Sequence, residues 1–233
     1  MCGRYAISSP GFREVAGFSI REWLESAWGP DGRFTPRFNI APSQAAPVLR
    51  LARDGALSMD ALRWGLVPPW GTPSTRAPIN ARCETVSTKP MFREAFSRRR
   101  CVVPATGFYE WQGARAPKMP WYIHPFDGQG FLFAGLWETG GDGTFTIVTT
   151  EANDALRDLH ERMPVVLQPA QAERWLDPKT DREEVLRLLR PAADDAVSMH
   201  RISRRVNDVR NDDASLMERV EDEEEPREPT LFG

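Results

Sequence analysis

The stretch between residues 100 and 150 most constrains the fold. Four runs rich in β-branched and aromatic residues follow one another there: "CVVPATGFYEW", "WYIHP", "GFLFAGLWE" and "TFTIVTT". Turn-forming residues separate them, and no gap between them holds a helical repeat. Parallel neighbours would need long, usually helical crossovers, so these strands must pair mainly antiparallel. The regular β-α-β alternation of a doubly wound fold is absent. Upstream, "APVLRLARDGALSMDALRWGLVP" reads as a hairpin turning at Asp54-Gly55. Apolar spacing suggests helices within 11–28, within 84–99 after Pro90, near 151–160 and within 169–190, with a short strand "VVL" and a last strand near 198–203. The expectation is an α+β single domain over residues 1–217, with a curved, mainly antiparallel β core flanked by helices. Residues 218–233 form an acidic tail, expected to be disordered.

No run of this chain approaches the roughly 18 apolar residues of a membrane span. Arg4 and Arg13 interrupt any apolar core of a secretory signal. The three cysteines, Cys2, Cys83 and Cys101, are odd in number and contain no C-x-x-C pair. That argues against a disulfide framework and structural zinc, and fits a reducing, cytoplasmic compartment. No metal site or cofactor is expected. The net charge of -3 conceals an asymmetry: Glu218–Glu228 carries seven acids and two bases, leaving about +2 elsewhere. Bases cluster in "FSRRRC" (96–101) and "HRISRR" (200–205). Such clusters are either solvated surface or a groove for a polyanion.

The chain opens "MCGRYA". Removal of Met1 would leave Cys2 with an amine and a thiol on adjacent carbons. The amine, of pKa about 7.7–8.0, is partly neutral at pH 7, and can form a Schiff base with an aldehyde. The thiol can then close a five-membered thiazolidine, an intramolecular and hence favoured step. The plain alternative is a small buried cysteine behind a retained Met1. In "APINARCET" (77–85), Asn80 offers an amide and Arg82 a guanidinium fork suited to phosphate; a helix cap is the alternative. In "VPATGFYEW", Glu110 stands between aromatics, where a raised pKa would suit acid–base work, or else faces solvent. In "LHERMPVVL", His160 is either structural or a proton shuttle; Pro164 stands where H-E-x-x-H needs its second histidine. Of eight tryptophans, Trp70 lies in the proline-rich segment 68–80. There it is a stacking platform for a base or a core residue.

Together, "MCGRYA", "FNIAPSQ", "RWGLVPPW", "INARCET", "RRCVVPATGFYEW", "HERMPVVL" and "RISRRVNDVRND" resemble the SRAP family (SOS response-associated peptidase fold), the abasic-site processing proteins. The resemblance covers about residues 1–217; Cys83 departs from the serine often found there. It implies a basic DNA groove, removal of Met1, and capture of the ring-opened aldehyde of an abasic site in single-stranded DNA. The product would be a thiazolidine DNA–protein crosslink on Cys2, shielding the lesion. It further implies that Asn80 positions the Cys2 terminus and that Arg4 and Arg82 hold phosphates. Glu110 and His160 would move protons, while Pro42 and Trp70 wedge and stack near a DNA junction. The activity would be lyase-like, with autoproteolytic, cysteine-peptidase-like processing of the N-terminus. The alternatives are a thiol (auto)peptidase without crosslinking and a noncovalent single-strand binder. A monomer, nucleoid-associated when bound to DNA, is expected. The ending "EEEPREPTLFG" is similar to bacterial sliding-clamp-binding peptides, without their usual Gln.

Overall fold

In β3 (Ala45–Leu51) and β4 (Leu57–Trp64) the hairpin forms as the Asp54-Gly55 turn demands. Gly55 takes φ +84°, a left-handed conformation that costs glycine little, and the strands pair from Ala45–Arg63 to Leu51–Leu57. This computed structural model describes residues 2–9, 11–28, 34–52, 54–72, 77–113, 118–140 and 143–220; the tail beyond 220 lies outside them. The other strands are β1 (Tyr5–Ile7), β2 (Arg37–Ile40), β5 (Asn80–Arg82), β6 (Arg100–Ala105), β7 (Gly107–Gln112), β8 (Met119–Pro125), β9 (Phe131–Glu138), β10 (Thr144–Glu151), β11 (Arg162–Pro164) and β12 (Val197–Arg201). The helices are α1 (Ile20–Ala27), α2 (Arg93–Arg98), α3 (Pro169–Leu176) and α4 (Arg182–Arg187).

Two sheets result. One, ordered β12-β8-β7-β1-β2, is antiparallel throughout. In the other, β10-β4-β3-β6-β9 closes into a ring because β9 also pairs with β10. Ring closure leaves no unpaired edge among these five strands. The parallel pairs are β10 with β4 and with β5. The chain crosses from ring to sheet at Thr106, between β6 and β7. Gly107 allows the crossing, since a Cβ there would sit 2.4 Å from the Tyr122 ring. The expected α+β fold with its curved antiparallel core is therefore the observed one.

The core joins the two sheets through Trp64, which stacks on Phe145 at 6.3 Å and meets Tyr5 edge-on at 5.1 Å. Its indole N–H donates to the Ile79 carbonyl at 2.9 Å. Trp175 of α3 is likewise fully buried and donates to the Cys101 carbonyl at 2.8 Å.

One expected helix is missing, for a local reason. Within 84–99 the helix begins after Pro90, as expected, in α2. Residues 154–159 form turns instead of a helix. The Asn153 side chain accepts from Leu156 N and donates to the Ala192 and Ala193 carbonyls, competing with the helical backbone pattern. The "FSRRRC" bases also prove largely structural. Buried Arg100 donates to the Phe96 carbonyl at 2.9 Å, the Asp177 carbonyl at 2.7 Å and the Trp175 carbonyl, satisfying helix C-termini. Arg99 pairs with Glu138 at 2.8 Å; Arg98 faces solvent.

Asn39 of β2 fastens the segment after β12. It is fully buried, and its amide donates to the carbonyls of Val206, Asp208 and Asn211 at 3.3, 3.1 and 2.8 Å. Its oxygen accepts from Arg4 Nη1 at 2.6 Å. Replacing Asn39 by Ala should cost roughly 3 kcal/mol by orphaning these groups. A Tm lowered by about 6–12 °C in thermal unfolding is the expected reading.

Candidate active site around Cys2

The N-terminal strand is laid against β7. Tyr5 pairs with Phe108, and Tyr109 N donates to the Arg4 carbonyl at 3.0 Å. Continuing this antiparallel register backwards brings Gly3 and Cys2 alongside Glu110 and Trp111. On the other side Tyr5 pairs with Ile40 of β2. The exposed Pro42 therefore follows on the side from which Cys2 and Gly3 emerge.

Cys2 is fully buried within the main core cluster. Its carbonyl accepts from Asn80 Nδ2 at 2.8 Å, so the first residue of β5 grips the N-terminal backbone. The Asn80 Oδ1 is buried without a hydrogen-bond partner among the described residues. Arg82 lies two residues on, hence on the same face of the strand, and is exposed. Glu110 of β7 is only 4% exposed. His160 ends the turns before β11, and its Nδ1 accepts from Arg162 N at 2.9 Å. A neutral His160 thus carries its proton on Nε2.

Arg4 Nη1 donates to Asn39 and, at 2.7 Å, to the Val206 carbonyl, and its guanidinium lies over Trp111 at 5.8 Å. Part of its donor set is thereby held within the protein. Trp70 stands out 61% exposed on a loop whose neck is closed by Leu66 N donating to the Pro78 carbonyl at 3.1 Å. Thr149 of β10 was not singled out by sequence reasoning. It pairs with both Arg82 and Pro164, and its buried Oγ1 has no hydrogen-bond partner among the described residues. Only its place between β5 and β11, invisible before the fold, draws attention to it.

The family profile described as "SOS response associated peptidase (SRAP)" matches residues 1–209. The chain belongs to the SRAP family. Among the SRAP relatives, "Abasic site processing protein YoqW" of Bacillus subtilis is 37% identical over 229 residues, covering 94% of this chain and 99% of the relative. "Abasic site processing protein YedK" of Escherichia coli is 33% identical, covering 94% and 100%. A solved structure of a protein from Bacteroides thetaiotaomicron superposes with a TM-score of 0.74 at 26% identity, covering 94% and 100%.

The electrostatics of this SRAP site depart from simple expectation in one respect. Burial foremost, and then the charge of Glu110, push the Cys2 thiol well above its ordinary pKa. With Met1 in place, this thiol is protonated at neutral pH rather than poised as a thiolate. Burial also raises the Glu110 carboxyl, against the opposing charges of the N-terminal amine and then of His160. Among the described residues no three His, Cys, Asp or Glu side chains come together as a metal site, and no helix is long and apolar enough to cross a membrane. A cavity of about 850 Å³ between the 16–18 turn, the β3–β4 hairpin tip and the end of α3 is lined by none of these residues.

Proposed function

We propose that this protein processes abasic sites by bonding covalently to them through Cys2 after loss of Met1. The observation that carries this reading is the seat of Cys2. Its backbone is gripped by Asn80, and buried Glu110 stands close enough for its charge to reach the thiol. The names of relatives that match nearly the whole chain point the same way.

The freed Cys2 amine attacks the ring-opened C1′ aldehyde of the lesion. The resulting carbinolamine loses water, giving an iminium ion. Glu110, whose proton burial holds more tightly than usual, is the acid that donates to the departing hydroxyl. The thiol then adds its sulfur to the iminium carbon and gives its proton, directly or through His160, to the ionised Glu110, which restores the acid. A thiazolidine results, with one water released overall. Because the thiol is not already ionised, a base must take its proton as it adds, and a buried carboxylate beside it is well matched to that task. The intact-protein mass after incubation with abasic single-stranded DNA tests the reading. It should equal protein without Met1 plus the oligonucleotide less one water, in a species stable to heat and detergent. Met1 loss with no DNA adduct would favour a peptidase role instead.

Arg82, exposed beside Asn80, is proposed to hold a phosphate, together with the remaining edge of Arg4; Pro42 and Trp70 supply wedge and stacking surfaces. Arg82→Ala should weaken binding of single-stranded DNA regardless of sequence. It should also flatten the log–log salt dependence by about one unit of slope. An unchanged slope removes Arg82 from the interface. The clamp-like ending lies outside the described residues; as a proposal, it is tested by comparing clamp pull-down of the full chain with one ending at Val220.

A further inference from the structure

We propose that the ion pair between Arg162 and Glu84 is a positioning element for His160, fixing both its place and its tautomer. This rests on the proposed role of His160 as a proton carrier. Arg162 directs its guanidinium into the protein. Nη1 and Nη2 take the two oxygens of Glu84, the second at 3.1 Å, and Nη2 also donates to the Thr149 carbonyl at 2.7 Å. Its side chain is 10% exposed, whereas that of Glu84 is 52% exposed. One arginine thus ties the loop after β5, which follows Asn80 and Arg82, to β10 and to the start of β11. The backbone N–H of this same residue donates to His160 Nδ1.

Two consequences follow from that bond. The N–H reserves Nδ1 as an acceptor, so the exchangeable proton of a neutral ring sits on Nε2. The position of the ring is also slaved to a backbone that the guanidinium fork immobilises. A fork that makes two bonds to a carboxylate fixes direction as well as distance. Hydrogen bonds from Arg162 hold the Glu84 carboxyl below its usual range, so the clamp is charged at neutral pH. A lysine at 162 would keep the charge but not the fork.

The test uses the full chain with Glu84→Gln, near-isosteric and half-exposed, and Arg162→Lys. Imidazole ¹⁵N NMR reads the tautomer directly, the His160 signals being assigned by their loss in His160→Ala. The wild type should show one tautomer, protonated at Nε2. Both variants should show a mixture or a changed shift at Nδ1. Crosslinking rates on abasic single-stranded DNA should fall about ten- to a hundredfold, as for outer residues that orient a reacting group. In the His160→Ala background Glu84→Gln should cause no further loss, because its effect passes through that ring. An unchanged tautomer, or losses that multiply with His160→Ala, would overturn the proposal in favour of a plain structural tie or a phosphate contact. Should the wild type form no adduct, the proposed function fails, and the tautomer measurement still decides this one.

Discussion

Replacing Cys2 by Ala should abolish the heat-stable adduct altogether, leaving at most a Schiff base that only borohydride traps. The thiazolidine needs the amine and the sulfur on one residue at a free terminus, so this is the largest effect expected of any substitution. Cys2→Ser should fail likewise, its hydroxyl being a far poorer nucleophile. The buried seat of Cys2 adds a difference between the two. Alanine leaves a small cavity costing about 1 kcal/mol, whereas serine places a hydroxyl among apolar neighbours, costing roughly 1–3 kcal/mol. The serine variant should therefore melt at the lower temperature although both are inactive. A chain whose Met1 cannot be removed should bind DNA but form no adduct. A full-yield, heat-stable adduct with Cys2→Ala would overturn the assignment, since another residue would then supply the bond.

Glu110→Gln should slow crosslinking by about 10²–10⁴-fold, the usual contribution of a general acid–base group, without loss of DNA binding. It should also stabilise the protein at neutral pH. Burial raises the carboxyl pKa in the folded chain, so the native state holds that proton more tightly than the unfolded one. Stability therefore declines as pH rises from the ordinary carboxylate range through the raised value, and the penalty is complete above it. Glutamine never ionises and escapes it. Melting temperatures of the two proteins should differ at pH 7 and converge below about pH 4. A site that gains stability on losing its acid is carrying strain for function. Equal rates in wild type and variant would remove Glu110 from the mechanism.

Much of the architecture was legible because its signals are local. The Asp54-Gly55 hairpin and the four strand runs after residue 100 need only alternation and turn chemistry to be read. The helix expected near 151–160 was misread because Asn153 bonds to carbonyls at 192 and 193, forty positions away in sequence. Arg100 misled for the same reason: nothing beside it in the chain reveals that the end of α3, at Trp175 and Asp177, meets its guanidinium. For the site, residue types alone made Cys2, Asn80, Glu110 and His160 weak candidates one by one. Their order and company carried the resemblance. Thr149 and the Arg162–Glu84 clamp stayed hidden, because both depend on β10 running between β5 and β11.

The burial of Cys2 bears on how such a protein survives in a damaged cell. Peroxide and electrophiles attack thiolates, and they need access. A residue packed among core side chains, and held protonated by them, offers neither while Met1 remains. Cys83, only half-buried, is the thiol that oxidants meet first. If Cys2 acts as proposed, its sulfur is thus shielded from oxidants until Met1 is removed.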